Sequence, residues 1–252
     1  MSKLQVICIG EALIDKIINK SDSNFRNYLG GAPANVVCAL RKLEVPAAFI
    51  GCLGDDEYGR EFIRLFQQLN INIDFLQIAK QASTRIVKVM RDESGDRSFS
   101  GFEVTKSSSF ADEMLDKLLL NTNIKNLKKL FLNTKYIVTG TNLLAFSQSS
   151  DALYFILDFA KKFKIKIIID VNWREIFWEN SNIDKDAKLK KVKKFLHHAD
   201  ILKLANEEAD LFFNTSDPSE ISKVLIKQPD VIITNGAKPI NWYLNGIKGS
   251  NE

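Results

Sequence analysis

The chain of 252 residues lacks the signatures of the two commonest nucleotide folds. It holds no Gly-x4-Gly-Lys-Ser/Thr run, which excludes a P-loop, and no Gly-x-Gly-x-x-Gly follows its first apolar run, which argues against a dinucleotide-binding unit. Cysteine is scarce. Cys8, Cys38 and Cys52 are the only three, all in apolar contexts and none at metal-ligand spacing. That excludes a disulfide framework or zinc module and points to reduced core residues in a cytoplasmic protein. The two histidines, His197 and His198, are adjacent and point to different faces of a helix, so they form neither a triad nor a metal set. No apolar run reaches the ~18 residues of a membrane span, and an apolar strand-like run begins almost at once, so no signal peptide or membrane partner is expected. The net charge of +4 comes from scattered lysines. The densest basic run, Lys185 to Lys194, has the pattern of a solvated helix face, and no arginine cluster interleaves with aromatics, so nucleic acid is not an expected partner.

What is present is a strand–helix rhythm. Hydrophobic residues make up 45% of the chain, enough for a sizeable core. Apolar runs at 5–10, 47–54, 135–140, 166–170, 201–204 and 231–236 predict strands. Helical patterns at 33–44, 57–69, 147–161, 186–198 and 206–213 fall between them. Residues 84–90 and 97–102 flank DESGD and predict a β-hairpin turned by Gly95. The Lys/Asn/Leu-rich segment 111–134 is expected to be surface helix and loop. Repeated β–α units imply a mostly parallel sheet, with any site at the carboxyl ends of its strands.

Polar clusters fall at those ends. GGAPANVV at 30–37 places Gly30 and Gly31 before a helix that Pro33 starts, with Asn35 in the first turn. The glycines permit φ > 0 and let a ligand touch main chain, although a plain turn before a helix has the same pattern. Asp15, just past the first strand, is an acceptor for two sugar hydroxyls or a solvated loop residue. In DVNWR, Asp170, Asn172 and Arg174 project to one side; Arg174 could clamp a phosphate or pair with Asp170. In LKLANEEADLF, Lys203 lies in a strand while Glu207 and Glu208 open a helix. They serve its dipole, or Glu208 organises water around magnesium. TNGAKP at 234–239 suits backbone approach to phosphate or adenine, or a simple strand–turn–strand connection.

Taken in order, GEALID, GGAPANVV, GCLGDDEYG, TRIVKVMRDESGDRSFSGF, DVNWREIFW, LKLANEEA and VIITNGAKP resemble the ribokinase-type (PfkB) carbohydrate kinases, and within them the fructokinases. The resemblance covers essentially the whole chain. It implies a three-layer α/β/α sandwich with a mostly parallel sheet and a small β lid, as one domain over 1–252 with lid strands near 14–29 and 84–102. It further implies a cytoplasmic enzyme that transfers a phosphoryl group from Mg·ATP to a sugar hydroxyl, fructose being favoured over ribose, a nucleoside or 2-keto-3-deoxygluconate.

By position, the resemblance implies sugar contacts from Asp15, Gly30, Gly31 and Asn35, with Arg85 or Arg97, and Phe102, nearby. Asn172 and Arg174 would face the transferred phosphoryl group, with Arg174 supporting catalysis. Lys203, Thr234 and Gly236 fall on the nucleotide side, and Glu208 supports Mg2+ through water. A homodimer through the lid, or a non-catalytic sugar-binding remnant, are further readings. The sequence departs from the family pattern in three places. Ala205 stands where the Asn of Asn-x-x-Glu is expected, and Pro239 where the last glycine of Thr-x-Gly-x-x-Gly is expected. The Gly-Ala-Gly-Asp segment, which brings the general base and the anion hole, does not occur in these 252 residues. The expectation is therefore a chain missing its C-terminal part, weak or inactive as written.

Overall fold

The computed structural model describes residues 4–19, 25–91, 97–103, 109–179 and 184–251. The predicted turn at Gly95 lies outside them, as do the side chains of Arg91 and Arg97. The chain opens with Val6–Ile9 (β1), an apolar run buried on both faces, as a central parallel strand must be. Leu13–Asn19 (β2) and Phe25–Gly30 (β3) follow, then helix Ala32–Lys42 (α1), Ala47–Gly54 (β4), Glu57–Gln68 (α2) and Leu76–Ala79 (β5). Next come Ile86–Arg91 (β6) and Arg97–Phe102 (β7), helices Lys117–Thr122 (α3) and Ile124–Leu132 (α4), Tyr136–Thr139 (β8), Ser147–Lys162 (α5) and Lys166–Asp170 (β9). The chain continues through Lys185–Leu196 (α6), Ile201–Ala205 (β10), Asn206–Phe213 (α7) and Pro218–Val224 (α8). Strands Asp230–Asn235 (β11), Lys238–Leu244 (β12) and Ile247–Asn251 (β13) complete it.

Nine strands form one sheet in the order β13-β12-β11-β10-β9-β8-β1-β4-β5. It is parallel from β5 to β11, and β12 and β13 add antiparallel at one edge. Alternation along β1 builds the layers. Ile7 and Ile9 join the core that contains Leu153, Ile156 and Ala160 of α5, while Val6 and Cys8 join the core that contains Val37 of α1 and Phe62 and Phe66 of α2. Phe66 lies 5.0 Å from Phe49 of β4, ring to ring. Asp56 caps α2 by accepting the Gly59 N–H at 2.8 Å, which fixes where that helix begins. Four further strands form a second sheet, β3-β2-β6-β7, in which Asp15 stands opposite Tyr28 on one side and Val87 on the other.

The expectation for 111–134 needs correction. The segment forms α3 and α4, and Leu120, Leu127 and Phe131 are fully buried. The apolar positions 120, 124, 127 and 131 repeat at helical spacing, but the lysines and asparagines between them hide the stripe from an average over the segment. The strand β5 and the hairpin β12–β13 also go beyond the predicted elements. All three cysteines are free, with Cys8 and Cys52 buried, and burial pushes the Cys52 thiol up to about 12. Among the described residues no helix is long and apolar enough to cross a membrane.

Candidate functional site

A cavity of about 200 Å³ opens between the four-stranded sheet and the carboxyl ends of β1, β8 and β9. Five of the sequence-predicted residues line it together: Asp15 on β2, Gly31 and Asn35 at the start of α1, and Asn172 and Arg174 after β9. The glycine pair makes this convergence possible. Gly31 has φ +97°, and a Cβ there would lie 2.5 Å from the Glu11 carbonyl oxygen, so this turn accepts only glycine. A Cβ on Gly30 would overlap the Asp15 carboxylate itself. Gly30→Ala is therefore expected to weaken ligand binding by displacing Asp15, with the fold retained; ligand titration beside a melting curve checks it.

Arg85 does not line this cavity, contrary to the expectation from the resemblance. It is 2% exposed and forks onto Asp112, with Nε and Nη2 donating at 2.8 and 2.9 Å, and Nη2 also donates to Glu113 at 2.7 Å. Its guanidinium lies 4.1 Å from the Phe110 ring, 4.4 Å from Phe102 and 4.7 Å from Phe177. Phe102 is likewise part of this cluster, edge-on to Phe177 at 5.4 Å. It backs the cavity through Phe177 and is not among the residues lining it. The β7 residue that does line it is Phe99. The irregularity in β6–β7 between Lys88 and Val89 sets this. Phe99 stands opposite Val89, two residues along from the cavity-lining Val87 and on the same face. The side chain of Arg97 lies outside the described residues.

The loop after β9 is held in place by one carboxylate. Glu208 accepts the Trp173 N–H through Oε1 at 2.6 Å and the Ala205 N–H through Oε2 at 2.7 Å. The second bond closes the first turn of α7; the first ties that helix to the loop carrying Asn172, which adopts φ +40°. Burial pushes the Glu208 carboxyl up, and the two backbone N–H groups pull it partly back. Arg174 in turn stacks its guanidinium 4.9 Å from the Phe99 ring, so the loop touches the lid. Asp170 pairs with Lys203, Nζ to Oδ1 at 3.0 Å, rather than with Arg174. Glu208→Ala removes the acceptor for two backbone donors. A loss of about 1–3 kcal/mol is expected, read from denaturant unfolding, along with weaker ligand binding as the loop relaxes.

Lys203, Thr234 and Gly236 lie apart from the cavity lining, at the carboxyl ends of β10 and β11. Thr234 donates its hydroxyl to the Leu204 carbonyl at 3.3 Å. Gly236 turns β11 into β12 at φ +55°, with nothing within 4 Å of where a Cβ would stand. This is a strand–turn–strand connection that leaves bare backbone open to a ligand. Among the described residues no group of three or more His, Cys, Asp or Glu is placed to hold a metal. Each Glu208 oxygen accepts one backbone donor, which leaves a lone pair on each.

Two polar cavity residues were not singled out from the sequence. Glu11 is 2% exposed, and its Oε1 accepts Asn142 Nδ2 at 3.1 Å and, at 3.4 Å, the Ala32 N–H. Burial is the main cause pushing its carboxyl up to about 7. Asn142 is 3% exposed, and its Oδ1 has no hydrogen-bond partner. Each follows the end of a parallel strand, Glu11 after β1 and Asn142 after β8, and that position was the available signal.

The sequence profile of the pfkB family carbohydrate kinase matches residues 3–250. Among curated relatives, a probable fructokinase-5 of Arabidopsis thaliana is 28% identical over 97% of this chain and 74% of its own length. The ATP-dependent 6-phosphofructokinase of Thermoanaerobacterium thermosaccharolyticum is 22% identical over 95% of this chain and 74% of its own. In solved structures, fructokinase of Xylella fastidiosa with bound ATP superposes with a TM-score of 0.79 at 24% identity, over 99% of this chain and 78% of that one. A cavity between a small sheet and the carboxyl ends of a doubly wound sheet, with the family profile spanning nearly every residue, leads to one conclusion: the chain belongs to the pfkB family of carbohydrate kinases.

Proposed function

We propose that this chain is built to phosphorylate a hydroxyl of a neutral sugar, fructose being favoured, with Mg·ATP as the phosphoryl donor. The observation that carries the reading is the cavity's polar set. Three amides (Asn35, Asn142 and Asn172) and the carboxyl groups of Asp15 and Glu11 converge with Arg174 as the cation among the lining residues. Neutral amides and a carboxylate suit several hydroxyls. A sugar acid such as 2-keto-3-deoxygluconate would ask for a cation beside Asp15. Ribose fits the same chemistry less fully, having fewer hydroxyls to satisfy. The relatives named as fructokinases support the choice of sugar.

Asp15 accepts hydrogen bonds from the sugar, and the bare backbone at Gly31 and the Asn35 amide fix its orientation. Arg174, reaching from the loop after β9, would meet the transferred phosphoryl charge, with Asn172 beside it. The Phe99 contact then closes the lid over that charge and excludes water. The bare turn at Gly236, with Thr234 and Lys203, would take the nucleotide. Glu208 would support the phosphate side by holding the loop, close to any magnesium that the nucleotide carries. Positioning and charge neutralisation carry most of the rate in such a transfer. The free cysteines fit a reducing cytoplasm. The open edges of the four-stranded sheet, with Phe25 and Tyr28 exposed on β3, would suit a second copy of the chain.

Calorimetry with fructose, ribose and 2-keto-3-deoxygluconate tests the sugar reading. Fructose is expected to bind most tightly, and failure of all three would overturn it. A polypeptide of these 252 residues alone does not contain the Gly-Ala-Gly-Asp segment. It is expected to release ADP at or near background in a coupled assay, because losing a general base costs about 10²–10⁴ in rate. Robust turnover would overturn that expectation while supporting the kinase assignment. Sugar binding without any nucleotide binding would instead favour a non-catalytic sugar-binding protein.

A further inference from the structure

Glu11 lies at the floor of the cavity in an arrangement that its sugar-facing neighbours do not require. Its Oε1 stands between the Asn142 amide nitrogen at 3.1 Å and the Ala32 N–H at 3.4 Å. The first of these bonds decides which way the Asn142 side chain faces. An amide can present either its oxygen or its nitrogen to a cavity, and the two differ in what they recognise. Because Nδ2 donates to Glu11, Oδ1 is left over, buried and without a partner in a residue that lines the cavity. A buried acceptor with no partner is costly, and it is satisfied when a ligand brings a donor.

We infer that Glu11 is a positioning residue that locks the Asn142 amide with its oxygen towards the ligand, so that this wall of the cavity recognises a substrate hydroxyl as a donor. The inference rests on the sugar-kinase reading above for the nature of the ligand. Glu11 acts on Asn142 and on the first N–H of α1, the helix that carries Asn35. It thereby sets two sides of the cavity from one side chain. Charged groups surround it from several elements: Asp15 on β2, Arg174 after β9, and Asp112, whose own charge is taken up by Arg85. The Asp112 charge adds to burial in favouring the protonated form of Glu11. Either protonation state keeps an acceptor for Asn142, so protonation does not by itself remove that bond.

Reciprocal rescue in fructose titration tests this. Glu11→Leu keeps the bulk but removes the acceptor and is expected to weaken fructose binding at least tenfold. Glu11→Gln can still accept from Asn142 and is expected to stay within about threefold of the wild type. Asn142→Asp sets two carboxyl oxygens against each other and should weaken binding. The double variant E11Q/N142D restores a donor–acceptor pair and should recover most of the loss. Equal losses in E11L and E11Q, or no recovery in the double variant, would overturn the proposal, because a merely structural role has no reason to follow hydrogen-bond direction.

A readout without sugar separates this proposal from the sugar reading. In wild-type protein the Asn142 side-chain NH2 resonance is expected to shift as pH crosses about 7, where Glu11 titrates, and to stop shifting in E11Q. If no sugar binds but that shift is present, the sugar reading fails and the Glu11–Asn142 lock stands. If sugar binds but the resonance does not follow Glu11, the lock fails alone.

Discussion

Arg85→Met is expected to lower the melting temperature by about 10 °C or more. Among the described residues Arg85 is the only cation paired with Asp112, and Asp112 is itself only 3% exposed. Removing the guanidinium leaves a carboxylate with neither water nor partner. Breaking a buried pair from one side costs about 3–5 kcal/mol for that reason, more than the pair itself is worth. The loss of stacking on Phe102, Phe110, Phe146 and Phe177 adds to this. Two controls give the number meaning. Arg85→Lys keeps the charge but cannot fork onto both Asp112 oxygens, and should lie between wild type and Met. The double variant R85M/D112L removes both buried charges and should recover much of the loss, since Glu113 can turn to solvent. A melting temperature for Arg85→Met within 2 °C of wild type would show that the cluster does not hold the lid strands to the main sheet.

Asp15→Ala is expected to weaken fructose binding by about a hundredfold or more while leaving the melting curve nearly in place. The side chain is half-buried on β2 and faces the cavity, so its removal opens no core. A hydrogen bond to a charged group contributes about 1.5–3 kcal/mol, and each 1.4 kcal/mol is a factor of ten in affinity. A carboxylate accepting from two hydroxyls therefore accounts for the expected loss. Asp15→Asn should be intermediate, because one oxygen remains and the charge does not. Calorimetry on the three proteins decides it; a change below threefold in Asp15→Ala would place the sugar elsewhere in the cavity.

These two residues show how far one-dimensional reading reaches. Asp15, on a strand, and Arg85, just before one, are both polar residues beside glycine-rich or hairpin segments, and both carry the same family-implied role. Asp15 meets that placement at the cavity and Arg85 does not. The difference lies in Asp112 and Glu113, which come from a segment whose pattern looked like surface. Neither sequence spacing nor local propensity reports a carboxylate arriving from 27 residues away. Phe99 and Phe102 part for a similar reason. Both sit on β7, where an irregularity in the pairing with β6 sets them opposite Val89 and Val87; what separates them is the neighbour each meets, Arg174 for Phe99 and the Arg85 and Phe177 cluster for Phe102. Glu208 shows a third case. Its place in the first turn of a helix was legible, whereas its hold on the Trp173 N–H needed the two loops to meet.

The sequence by itself determined the strand–helix order, the parallel sheet, the glycine turn before α1 and the family, because each depends on local patterns: apolar periodicity, φ-permissive residues and motifs in series. Only the tertiary structure decided which polar side chains share the cavity, which pair off behind it, and that Glu11 and Asn142 belong to it at all. Those outcomes depend on distances between segments that lie from 27 to 131 residues apart in the chain. Glu11 and Asn142 are separated by 131 positions in the chain and by 3.1 Å in the fold, and a hydrogen bond responds only to the second.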